Sequence, residues 1–251
     1  MRRAYFRAWW RSTGAACCLA ALLVPSPADA GPEPQYGWRE TWVGADASSR
    51  TWLMFSGVSI APFGHVYSEG LRLRASGGYG QYSYKGTRED KVIVFDATTS
   101  YAEALVGYLK TFGPLTAKAF AGVAVIEHDI VPFDPDNPLQ GQKVGPKLVG
   151  EFWLNMGPFA WSSVDLSWTS AYSTSAAHAR TGYRIFDDVS LGIEGAINAN
   201  TMGEDARAGL FVRYAWEGGE VSLAGGFSGR FLDEAEAIRD PYATLNWLTQ
   251  F

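Results

Sequence analysis

The sequence predicts an all-β fold: a transmembrane antiparallel up-and-down β-barrel of about 12 strands, preceded by a cleavable signal peptide. Three observations carry this expectation. The chain opens with a basic leader and a short apolar run, it then alternates with period two through most of its length, and its last alternating segment ends in a terminal aromatic residue.

The leader comes first. Arg2, Arg3, Arg7 and Arg11 supply positive charge, Ala15 to Val24 is apolar, and Ala28-Asp29-Ala30 fits a small-x-small cleavage site. The expected organisation is therefore a signal peptide over 1–30, cleaved near Ala30, and a barrel over 31–251. The apolar run is shorter than the roughly 20 residues that a membrane helix needs. Arg2-Arg3 also fits a twin-arginine signal, but any basic leader needs arginines, so general secretion is the expected route. Both cysteines, Cys17 and Cys18, lie inside the leader with apolar residues beyond them. That argues against a lipidated cysteine, and it leaves the mature chain without thiol, disulfide or cysteine metal site.

Composition then excludes classes. Removing the leader takes four arginines and one aspartate from 21 basic and 26 acidic side chains, a net of −8. Nothing concentrates cations against phosphate, so nucleic acid is not an expected partner. Aromatic residues make up 14% of the chain and there are 28 glycines, yet no apolar stretch after the leader is long enough for a membrane helix. Such a chain enters lipid only by placing apolar groups on alternate residues.

The alternation is explicit. Leu71, Leu73 and Ala75 oppose Arg72, Arg74 and Ser76; Leu115, Ala117, Ala119, Ala121, Val123 and Val125 oppose Thr116 and Lys118. Val144, Leu148, Phe152 and Leu154 oppose Lys143, Lys147 and Glu151. Further on, Ala206, Ala208, Leu210, Val212, Tyr214 and Trp216 oppose Asp205, Arg207 and Arg213. The pattern predicts strands near 39–46, 51–60, 69–84, 98–111, 115–127, 142–154, 159–171, 174–184, 188–198, 204–216, 219–229 and 241–251. Four links on one side are short, at 112–114, 155–158, 186–188 and 217–219. Most opposite links, near 85–97, 128–141, 199–203 and 230–240, are longer, which is the asymmetry between inner turns and outer loops. Short outer links at 46–50 and 172–173 and a long inner link at 61–68 depart from it.

Alternation alone does not say which face is inside. Small residues, with Trp161, Trp168, Tyr214, Trp216 and Trp247 near strand ends, suggest that the apolar face meets lipid. The charged face then lines the lumen: Arg72, Arg74, Glu103, Lys118, Lys143, Lys147, Glu151, Asp165, Arg180, Arg184, Glu194, Asp205, Arg207 and Arg213 are its candidate residues. A salt-bridged plug and a permeation lining both fit this set. Leu245, Trp247 and the terminal Phe251 share one face and resemble the signal read by the outer-membrane barrel assembly machinery.

Candidates for other chemistry are few. His65 falls in an inner turn, His178 on a polar strand face, and His128-Asp129 at a loop base is the pair to consider for a rim hydrolase. There is no Gly-x-Ser-x-Gly elbow and no spaced histidine pair. Asp134-Pro135-Asp136-Asn137-Pro138 gathers oxygen ligands that suit Ca²⁺, but Pro and Asn make tight turns unaided, and the turn is the expected reading. Tyr79, Tyr82 and Tyr84 suit either sugar stacking or strand packing. No metal or cofactor is expected.

Gly77-Gly78-Tyr79-Gly80, Gly107-Tyr108, Glu127-His128-Asp129, the Asp134 to Pro138 run, Val144-Gly145-x-Lys147, Arg180-Thr181-Gly182-Tyr183, Gly192-Ile193-Glu194-Gly195 and Arg207-Ala208-Gly209 occur in an order that resembles the bacterial cellulose biosynthesis protein BcsS family. The likeness runs from about Val43 to the C-terminus. It implies a Gram-negative outer-membrane component of cellulose synthesis and secretion, and it brings no catalytic residue. The expected function is a porin-like or scaffolding accessory, not an enzyme, with outer-membrane lipid, cellulose and other synthesis components as partners. The alternatives are a rim enzyme acting on lipid or envelope glycan, and a general small-solute porin.

Overall fold

The computed structural model describes residues 37–88, 91–229 and 240–251. The expected leader and its cleavage site lie outside them. Twelve antiparallel strands run β1 (Arg39–Ser48), β2 (Thr51–Ile60), β3 (Gly70–Arg88), β4 (Lys91–Phe112), β5 (Leu115–Val131), β6 (Gly141–Met156), β7 (Ala160–Thr169), β8 (Thr174–Arg184), β9 (Val189–Asn200), β10 (Gly203–Trp216), β11 (Gly219–Gly229) and β12 (Asp240–Gln250). Each pairs with its sequence neighbours, and β1 closes on β12 from Glu40↔Gln250 to Ser48↔Tyr242. Closure satisfies every strand edge in the wall, which a sheet surrounded by lipid requires.

The start of β1 and the end of β12 meet at one end of the barrel, called the near end below. Arg39 N–H donates to the Phe251 carbonyl at 3.1 Å and Phe251 N–H to the Arg39 carbonyl at 2.9 Å, so the terminal residue completes the seam. Three of the near turns need a left-handed residue and have glycine there: Gly113 (φ 61°), Gly157 (φ 73°) and Gly218 (φ 85°).

The strand periods are as expected, but two far links are not. Residues 85–88 and 91–97, expected in an outer loop, extend β3 and β4 into a long hairpin, and β5 runs on to Val131. Polar and charged residues there, such as Lys85, Arg88 and Lys91, look like loop in sequence; in water they sit comfortably on a two-stranded ribbon, and the alternation of Val92 and Val94 with Ile93 and Phe95 continues beneath them. The link expected at 199–203 is a tight turn at residues 201–202. The asymmetry between ends therefore arises more from strand height than from loop length. β4 has 22 residues, β1, β2 and β7 have 10 each, and a tilted strand crosses a bilayer with about 9–11.

Candidate functional site

Register shows which side chains share a face, and contacts between strands that are not neighbours, Arg74 with Glu151 and Arg207 with Asp46, show which face is inside. Even positions of β1, β3, β5, β9 and β11 and odd positions of β4, β6, β7 and β10 line the lumen. The candidate charges of all these strands fall there: Arg72, Arg74, Glu103, Lys118, Lys143, Lys147, Glu151, Asp165, Glu194, Asp205, Arg207 and Arg213, with Arg180 and Arg184 on β8. They do not make an open basic track.

At the near mouth, Arg72 is buried, and its guanidinium donates to the carbonyls of Leu71 at 2.8 Å, of Gly70 at 3.3 Å, of His65 and Val66 at 3.2 Å each, and of Ser68. One cation gathers five carbonyls and so holds the long inner link over 61–69 in place. Val66 N–H donates to Gly37 O at 2.9 Å and the Tyr67 hydroxyl to Gln250 at 2.6 Å, which draws the link toward the seam.

In the middle, pairs reach across the lumen between strands that are not neighbours. Arg74 on β3 binds Glu151 on β6. Lys118 on β5 lies 3.6 Å from Glu151 and 3.7 Å from Glu40 on β1. Lys147 binds Glu103 at 2.8 Å, and the other Glu103 oxygen accepts from Ser76 at 2.7 Å. On the opposite wall Glu194 accepts from Arg180 Nε at 3.1 Å and from the Tyr242 hydroxyl at 2.9 Å, with His178 Nε2 at 3.4 Å. Arg207 on β10 pairs with Asp46 on β1, which also accepts from Thr244 at 2.8 Å. Enclosed charges need such partners, because removing an ion from water costs several kcal/mol. Asp165 stays exposed on the lumen face, beside Glu151 and His178 in register. Lys143 and Arg184 stand at the two mouths, Lys143 over the Tyr172 ring and Arg184 donating to Pro158 O.

Aromatic rings share the interior with these charges, and here one expectation fails. Trp161, expected on the lipid face, is buried on the lumen face, because its register places it with Ser163 and Asp165. It stacks on Trp153 at 4.3 Å and meets Phe211 at 5.5 Å, and Arg213, bound to Glu220, lies over both tryptophans. The intervening strands carry glycine where these rings cross. A Cβ at Gly182 would lie 2.6 Å from Trp161, and one at Gly192 equally close to Phe211. Arg74 likewise lies between Trp42 and Phe120. Sequence reasoning placed Trp161 outward with the other strand-end aromatics and did not single out Trp153 or Phe211; the glycines on neighbouring strands were the available signal.

The far mouth is capped as well. Tyr82, Tyr84, Ile93, Phe95, Ala97 and Ile130 pack as a small cluster inside the hairpin. The Tyr84 hydroxyl donates to Asp134 and accepts from Asn137, both at 2.7 Å, so the 132–140 loop folds inward. Asp134 and Asn137 side chains also accept N–H groups of Asp136 and Leu139, which is turn chemistry. Among the described residues no acidic or histidine cluster is arranged to hold a metal ion. His128 points inward, with Nδ1 3.2 Å from the Tyr82 hydroxyl, whereas Asp129 points outward. The two cannot act as a pair at a lipid-facing rim. Of the three tyrosines, Tyr79 faces outward, exposed beside Trp52.

The outer wall is the inverse of the lumen. Leu71, Val106, Val123, Leu148, Leu210 and Leu245 are exposed there, and each turn or terminus of the near end adds an aromatic: Phe63, Phe112, Phe159, Phe186, Trp216 and Phe251. A continuous exposed apolar belt above a ring of aromatics is costly in water and suited to a bilayer.

An inside-out wall around ion-paired charges and buried rings defines a membrane-type β-barrel. No curated protein matches the chain. Solved structures similar to it include the KdgM porin in complex with disordered oligogalacturonate (11% identity, 84% of this chain and 99% of that one, TM-score 0.49). The translocator domain of autotransporter NalP from Neisseria meningitidis (13%, 86% and 89%, 0.49) and the transport unit of autotransporter AIDA-I from Escherichia coli (10%, 92% and 94%, 0.47) are others. Similarity at this level concerns architecture alone. The chain belongs to the cellulose biosynthesis protein BcsS family, whose model matches residues 41–251.

Proposed function

We propose that the protein is a closed outer-membrane scaffold in cellulose biosynthesis and secretion, not the conduit for the glucan. Family membership supports the process, and the outward apolar belt supports the membrane. The near end, with the start of β1 and the end of β12, faces the periplasm, and the tall hairpin of β3 and β4 stands outside. Leu245, Trp247 and Phe251 lie on the outer face of the closing strand, where the assembly machinery would read them.

The observation that carries the scaffold reading is the bridge from Glu40 through Lys118 and Glu151 to Arg74, which ties β1, β3, β5 and β6 together through the lumen. A twelve-stranded barrel is intermediate between those filled by side chains and those that hold a channel, and here side chains occupy the space. In planar bilayers the purified protein is expected to give no steady conductance. A stable ohmic conductance in the wild-type barrel would favour the small-solute porin and refute the scaffold. Deleting the gene in a cellulose-producing host is expected to lower cellulose output, read by dye binding and cellulase-released glucose; unchanged output removes the assigned process.

A further inference from the structure

The outer face of β4 and β5 divides into three zones. The lowest is the belt, with Ala102, Ala104 and Val106 on β4 and Ala121, Val123 and Val125 on β5. Above it the outward positions turn polar and acidic: Asp96, Thr98, Ser100, Glu127 and Asp129. Carboxylates on the outside of a barrel mark the level at which lipid stops. Beyond Asp96 the outer face of β4 becomes apolar again, with Val92 71% exposed and Val94 54%; Val131, opposite Asp96, and Phe133, two residues past the end of β5, are 62% exposed each. If the barrel lies in the membrane as proposed above, this second apolar patch stands in water, where contiguous exposed apolar surface marks an interaction site.

The same place holds a free strand edge. β4 pairs with β5 only as far as Asp96↔Val131, while its pairing with β3 continues to Arg88↔Lys91. Over residues 91–95, the side of β4 that faced β5 below has no strand beside it, and among the described residues it makes no backbone hydrogen bond there. An unpaired edge is a template for another strand.

We propose that residues 91–95 of β4, with Val92, Val94, Val131 and Phe133, form a docking site for an extended polypeptide segment of a partner protein. The segment adds a strand to the hairpin and presents alternating aliphatic side chains to the valines. Basic residues at one of its ends meet the Asp96, Glu127 and Asp129 band. This proposal rests on the membrane placement given above. The chemistry favours polypeptide over glucan, because three of the four apolar residues are valines, sugar rings stack on flat aromatic faces, and backbone N–H and C=O groups in register match a peptide. A second copy is a poor fit: a two-fold axis along the membrane normal would cross two tilted edges steeply instead of aligning them antiparallel.

The test uses the folded full-length barrel in lipid nanodiscs and one probe, the labelled peptide acetyl-Lys-Val-Thr-Val-Thr-Val-Thr-amide. Saturable binding by fluorescence anisotropy is expected, with slowed amide exchange confined to residues 91–96. The V92K/V94K double variant, which puts charge on the edge as natural edge strands do, is expected to weaken binding roughly tenfold or more. V92T/V94T, which keeps the backbone edge and exchanges one methyl for a hydroxyl on each side chain, is expected to weaken it about threefold. Heat-modifiable gel mobility checks that both variants remain folded. Absence of saturable binding, or protection that maps elsewhere, overturns the proposal. So does protection of residues 91–96 by cellohexaose in place of the peptide, which would make the patch a glucan surface. A barrel that conducts yet binds the peptide refutes the scaffold reading alone, and a silent barrel that ignores the peptide refutes the docking edge alone.

Discussion

Glu194→Ala is expected to lower the unfolding free energy of the barrel by about 3–5 kcal/mol, the range for breaking an enclosed ion pair from one side. The Glu194 side chain is 0% exposed and takes the Arg180 guanidinium, the Tyr242 hydroxyl and the nearby His178 ring. Its loss strands a guanidinium over the Phe211 ring and frees a hydroxyl that no water can easily reach. Glu194→Gln keeps the volume and the contact with Tyr242, so a loss of about 1–3 kcal/mol is expected. Arg50→Ala, which breaks a pair with Asp240 whose side chains are 44% and 26% exposed, should cost under about 1 kcal/mol. Urea titration in lipid vesicles, followed by tryptophan fluorescence, ranks the three. A Glu194→Ala loss no larger than that of Arg50→Ala would mean that the lumen is wet enough to solvate the stranded cation.

Leu210→Arg carries the second large effect. Leu210 is 67% exposed in the middle of β10, opposite Ile193 and Gly225. On a water-exposed surface such a change usually falls within about 0.5 kcal/mol of neutral. At the midplane of a bilayer it costs about 2–4 kcal/mol. Val94→Arg, above the acidic band on β4, should stay near neutral in the same titration. Equal and small losses at both positions would sink the lipid belt, and equal and large ones would move the membrane boundary above the carboxylates.

Much of this architecture was legible from period alone. A lipid-exposed strand has two chemically opposite faces, so the twelve segments and the inward set of charges follow from alternation once the apolar face is placed outside. Height was harder to read. Lys85, Arg88 and Lys91 carry the polarity of a loop; the local sign of a ribbon beside them is the run of strand-forming residues Val92-Ile93-Val94-Phe95. The lumen was harder still. Trp161 and Phe211 resemble membrane aromatics in one dimension, and the space that admits them comes from Gly182 and Gly192 on strands between them. Which ion partners meet depended on barrel curvature: no spacing in the chain couples Asp46 to Arg207 or Glu40 to Lys118.

The aromatic residues set around the near end, from Phe63 to Phe251, have a mechanical consequence. Such a girdle marks the edge of the hydrocarbon, so vertical displacement of the whole protein would move six rings at once out of that level, either deeper into hydrocarbon or into water. A barrel held this way is pinned at a fixed depth, like a rivet with its flange at one face of the bilayer. In a bilayer, whatever stands on the opposite rim then keeps a constant height above the lipid, and a tether of a single length suffices to reach it.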